Sequence, residues 1–141
     1  MRPNTLAETT RRIASGQALE IALPEFLDEF YLAPTLERRS VMLAEEPALS
    51  GDRRRDALFG AIAEYLAHQF ALPQVPDWAF DPRRYLERAW HTSPFADDAF
   101  REYLTFASPA EFSSRNIFTE EAPLRRARSA VAARQADDHR H

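Results

Sequence analysis

A chain of 141 residues is long enough for one ordinary domain with a buried core. Hydrophobic residues at 45 % and aromatics at 11 % argue against intrinsic disorder. A formal net charge of -4 gives no global attraction to nucleic acid or anionic lipid, and the absence of cysteine excludes disulfides, thiolate metal sites and cysteine nucleophiles.

All 18 basic residues are arginines, so every cation can form forked pairs with the 22 acids. The N-terminus leads into a polar helix rather than an apolar signal core, and no apolar stretch approaches the ~20 residues of a membrane span. The expectation is a cytoplasmic protein. Three glycines and ten prolines punctuate the chain, and the prolines sit where helices would begin. No alternating β-branched run is visible.

Thr5 and Glu8 have the form of a capping box, opening a short helix that stops at Gly16. A second helix is expected from Leu23, with Pro24 in its first turn and Phe26, Leu27, Phe30 and Tyr31 on one face. Glu25, Asp28 and Glu29 lie opposite, near the positive end of the helix. A third helix runs from Leu36 to Glu46. The longest, capped by Asp52 or Ser50, continues to about Ala71 with Leu58, Ile62, Tyr65, Leu66 and Phe70 at helical spacing.

Residues 76–91 carry both tryptophans and read as an anchor for the core. Asp81-Pro82 predicts a helix start, with Tyr85, Leu86, Ala89 and Trp90 on the apolar side and Arg83, Arg84, Glu87 and Arg88 on the solvated side. Ser93-Pro94 and Ser108-Pro109 repeat the start signal, with Phe95, Ala99, Phe100, Tyr103 and Leu104 as the apolar stripe between them. Asn116 reads as a helix end and Thr119 as another cap. A helix rich in arginine, with Arg125, Arg126, Arg128 and Arg134, is then expected to about Gln135. Together these signals predict an all-α chain: a single compact domain of six to eight helices over 1–135 and a disordered tail over 136–141.

Chemistry has thin support. No histidine pair has metal-ligand spacing, so no metal site and no cofactor is expected. Arg84 and His91, six residues between them, match the Arg-x(4-6)-His spacing of the HEPN ribonucleases, which they resemble in that respect. There the arginine would steady a phosphate and the histidine would move the proton. The plainer reading is a solvated Arg84 and an aromatic-packed His91. Charge is segregated: Glu20 to Glu46 holds seven acids against Arg38 and Arg39, whereas Arg125 to Arg134 holds four arginines and no acid. Such faces are either ordinary surface charge, paired internally, or contact surfaces for partners of opposite sign.

Residues 13–16 and 25–31, the segment from Asp81 to Leu86, Ser108 to Phe112, Arg115 to Glu120 and Pro123 to Arg128 together resemble a family of small bacterial all-helical proteins. Members of that family look like the partners of nucleotidyltransferase-like proteins in type II toxin–antitoxin pairs. The resemblance spans about Leu6 to Arg128 and implies a non-enzymatic, antitoxin-like protein that neutralises a toxin by direct contact. Nucleic acid is not an expected partner, since no helix-turn-helix reader is evident; the remaining alternative is nucleic-acid binding through the arginine-rich C-terminal helix. Partner contacts are expected at Glu25, Asp28, Glu29, Arg125, Arg126 and Arg128.

Overall fold

A computed structural model describes residues 1–93 and 97–126. The described residues hold six helices: α1 (Leu6–Ala14), α2 (Leu19–Leu32), α3 (Leu36–Ala44), α4 (Arg53–Gln69), α5 (Asp98–Ala107) and α6 (Ala110–Ser113). Two short strands, β1 (Trp90–His91) and β2 (Ile117–Phe118), pair in parallel with Trp90 opposite Ile117. The fold is all-helical apart from that pairing.

Four helix starts follow the capping rules, whereas α2 and α6 open without a side-chain cap, so the cap expected from Ser108 does not form. Thr5, Thr35, Asp52 and Asp97 each accept a hydrogen bond from a first-turn N–H of α1, α3, α4 and α5. Glu8 returns a carboxylate oxygen to the Asn4 N–H at 2.9 Å, one residue earlier than a capping box requires. Gly16 (φ +113°) and Asn116 (φ +63°) take the left-handed conformations that end their segments. α2 begins at Leu19 rather than Leu23, so Pro24 lies inside the helix instead of in its first turn.

α4 is the centre of the molecule. Ile62 and Leu66 are buried as the spacing predicts, but Ala57, Phe59, Gly60, Ala61, Ala63 and Ala67 are buried as well. Small residues let neighbours approach this helix on several sides. α2 brings Phe26 and Phe30 into the core, and Tyr31 stacks on Phe70 with 5.7 Å between centroids. Arg39 closes the end of α2 by donating to the carbonyls of Phe30 and Tyr31, both at 3.1 Å, while its guanidinium sits 4.3 Å from the Phe70 centroid.

The expected helix after Asp81-Pro82 does not form. Asp81 caps only a 3₁₀ turn, Pro82–Arg84, and the chain then extends. Its N–H groups bond across the chain instead: Leu86 donates to Arg115 O at 3.2 Å and Trp90 to Asn116 O at 2.8 Å. Extended backbone allows Leu86 and Trp90 to pack on the core without a helix to carry them. The start expected at Thr119 is also absent, and Thr119 is buried with its N–H donated to Ser108 Oγ at 2.8 Å. Residues 124–126 are not helical; the remainder of the expected arginine helix, with Arg128 and Arg134, lies outside the described residues. So do Phe95 and the 136–141 tail.

Candidate functional site

Of the predicted contact residues, Asp28 and Arg126 are brought together, with each other. Arg126 forks onto Asp28 of α2, Nε to Oδ1 at 3.1 Å and an N–H to Oδ2 at 3.4 Å. Glu29 pairs with Arg2 at 3.1 Å. The opposite charges of α2 and the C-terminal stretch therefore meet inside one chain. Glu25 makes no hydrogen bond or ion pair among the described residues and is half-buried; Arg125 is exposed.

Arg84 is not solvated: it is 1 % exposed. Its terminal nitrogens donate to Asp56 O at 3.1 Å and Pro47 O at 2.5 Å, and its guanidinium lies 4.8 Å from the Trp78 ring centroid. Burial pulls the pKa of this guanidinium down, and the nearby acids Asp56, Glu46 and Asp81 act against that. His91 points to other company, stacked on Phe118 with 5.1 Å between centroids. Arg84 and His91 thus have different partners. Arg84 lies in the core with both terminal nitrogens on carbonyls and its Nε buried without a partner among the described residues, and His91 lies on the ring of β2.

A second buried arginine was not foreseen. Arg115 is fully buried; it pairs with Glu64 at 2.7 Å and donates to Ala79 O and Glu111 O at the same distance. Its guanidinium lies 4.6 Å from the Tyr85 ring centroid. With Arg84 it pins the 76–86 segment to α4, and Trp78 adds a bond from its indole N–H to Leu43 O at 3.0 Å. The anchor role of this region stands, although Phe80 is half out of it at 46 % exposure. No signal of spacing distinguishes Arg115 in the sequence.

The unpartnered surface lies on α5. Of its apolar stripe only Leu104 is buried, while Phe100, Tyr103 and Phe106 are 41 %, 51 % and 82 % exposed. Phe100 and Tyr103 stack on one another, 5.8 Å apart. The sequence puts Phe100 and Tyr103 on one apolar stripe with Leu104, and the structure buries only Leu104 of the three. The available clue was Phe106, which neighbours Tyr103 at i+3 on the side of the helix away from Leu104. Asp97, Asp98 and Glu102 against Arg101 make the helix acidic overall.

Among the described residues no group of three or more His, Asp or Glu could hold a metal ion, and no helix is long and apolar enough to cross a membrane. No family model, no curated protein and no solved structure matches the chain.

Proposed function

We propose that this chain is a non-enzymatic protein-binding module, antitoxin-like, that docks on its partner through α5. The observation that carries this reading is the exposed aromatic face of Phe100, Tyr103 and Phe106 on a capped, amphipathic helix. Large exposed rings cost free energy in water, and clustered on one helix face they mark interaction surfaces. Phenylalanine and tyrosine are also common interface anchors. The geometry suits a helix laid in an apolar groove, with anchors repeating about one turn apart.

Charge narrows the partner. With Asp97, Asp98 and Glu102 flanking the rings, the complementary groove carries an apolar floor and a basic rim, as a protein that handles nucleic acid would. A nucleotidyltransferase-like toxin, the partner implied by the resemblance, is of that kind. The acids of α2 are less suited to the task, since Asp28 and Glu29 already have arginine partners.

The experiment is co-expression with the product of the adjacent gene, followed by affinity capture and size-exclusion chromatography. A stable complex of the two is expected. Separate elution at micromolar concentration overturns the proposal.

A further inference from the structure

A cavity of about 390 Å³ opens between the end of α1, the loop after α3 and the first turns of α4. Small-molecule pockets span roughly 300–1,000 Å³. Ile13, Leu49 and Phe59 supply apolar wall, and the neighbours Arg55 and Asp56 supply charges of opposite sign.

Two of these polar groups are incompletely satisfied. Asp56 is 6 % exposed; its Oδ1 accepts from Ser50 N and Ser50 Oγ, both at 2.8 Å, while its Oδ2 receives no hydrogen bond among the described residues. A carboxylate has about four acceptor sites, so this oxygen, on a residue that lines the cavity, can still accept a donor. The Arg55 guanidinium, half-buried at the same cavity, makes no hydrogen bond or ion pair among the described residues. Of the other cations of the wall, Arg11 pairs with Glu45 at 2.8 Å. Arg84 holds the two carbonyls described above through its terminal nitrogens, while its Nε is buried without a partner among the described residues.

The missing complement is therefore a donor for Asp56, an anion for Arg55 and an apolar body between the walls. Arg55 and Asp56 line the same cavity, so one ligand would present its cation and its anion to a single chamber. A nucleotide fits poorly, since its phosphates would have one free arginine and would face Asp56 as well. We propose that this cavity binds a free apolar α-amino acid as its zwitterion, ammonium on Asp56, carboxylate on Arg55, side chain among Ile13, Leu49 and Phe59.

The test is titration calorimetry of the full chain with L-leucine and L-phenylalanine, alongside N-acetyl-L-leucine, which lacks the ammonium, and L-leucinamide, which lacks the carboxylate. Binding of at least one amino acid is expected, with each blocked analogue weaker by about tenfold or more. Arg55→Ala, which removes no hydrogen bond or ion pair of the Arg55 side chain among the described residues, should keep its thermal midpoint within about 0.5 kcal/mol of stability yet bind leucine and leucinamide alike. No heat and no midpoint shift with either amino acid at about 10 mM overturns the proposal. So does equal binding of leucine and either blocked analogue by the unaltered chain, which would also be the result for the end of a peptide. None of these readouts depends on the docking role of α5.

Discussion

Gly60 and Arg84 meet so closely that a methyl group on Gly60 would stand 3.1 Å from Arg84 Cβ. It would also lie 3.2 Å from Ala79 O and from Arg115 Nε. The glycine is there for approach, since its φ is ordinary helical and alanine would otherwise gain about 1 kcal/mol in helix propensity. Overpacking of this kind costs typically 1–3 kcal/mol and here has backbone on one side and fixed guanidinium on another. Gly60→Ala should destabilise the fold by up to about 2 kcal/mol net of the propensity gain. Urea unfolding monitored by tryptophan fluorescence checks this; an unchanged or higher midpoint contradicts the packing argument.

Arg115 and Glu64 should behave unlike the surface pairs. Removing one partner of a buried pair leaves the other charge uncompensated, which costs about 3–5 kcal/mol. Arg115→Ala also strips the donors from Ala79 O and Glu111 O. Arg11→Ala, at the exposed pair with Glu45, should cost under about 1 kcal/mol. Comparing the two denaturation midpoints, with slopes held equal, measures the difference. Similar losses for both would mean that Arg115 is far less dependent on Glu64 than its geometry states.

What could be read from the sequence divides along the range of the interactions. Helix starts at Thr5 and Asp52 are local events, one oxygen reaching an N–H three residues on, and short motifs carry them; α5, expected to start at Ser93-Pro94, begins instead at Asp98 with Asp97 as its cap. The all-helical class follows from the same signals. The segment after Asp81 shows where local rules end: its cap and proline are those of a helix, yet Leu86 and Trp90 find hydrogen-bond partners at 115 and 116. A chain read locally cannot show that competition. The same holds for Arg84, whose burial is set by carbonyls of Pro47 and Asp56, and for Phe100 and Tyr103, whose helical spacing says which face they share but not what covers it. The charge segregation was visible, and its internal pairing was among the readings it allowed; Arg126 on Asp28 makes that pairing real at one point.

Tyr31 links the aromatic cluster to the C-terminal stretch, donating its hydroxyl to Leu124 O at 2.8 Å. Burial is the main cause that pushes its pKa from 10.0 up to about 12, with Tyr65 adding to it. A raised folded-state pKa means that the protonated form is favoured by folding. The stabilisation is therefore complete below the unfolded value near 10 and is lost as pH rises toward about 12. Thermal midpoints measured across that interval should fall, and Tyr31→Phe should flatten the fall while costing about 1 kcal/mol at neutral pH for the lost hydrogen bond. A tyrosinate absorbance titration in which all tyrosines ionise near pH 10 would remove the basis of this prediction.

Phe106 separates docking from folding. At 82 % exposure its ring contributes little to the core, so Phe106→Asp should leave stability within about 0.5 kcal/mol of the original chain. Leu104, buried on the same helix, serves as the control: Leu104→Ala should cost about 2–5 kcal/mol through the cavity it leaves. If α5 lies in a partner's groove, the Phe106 ring becomes a buried anchor, and losing it weakens the complex by about 2 kcal/mol or more, roughly thirtyfold in Kd. An added carboxylate in an apolar groove makes the loss larger. Affinity of the Phe106→Asp chain for the adjacent-gene product, measured by calorimetry beside its thermal midpoint, gives the decision. Lost affinity with an intact midpoint places the contact on α5, whereas full affinity moves the partner's footprint off this helix.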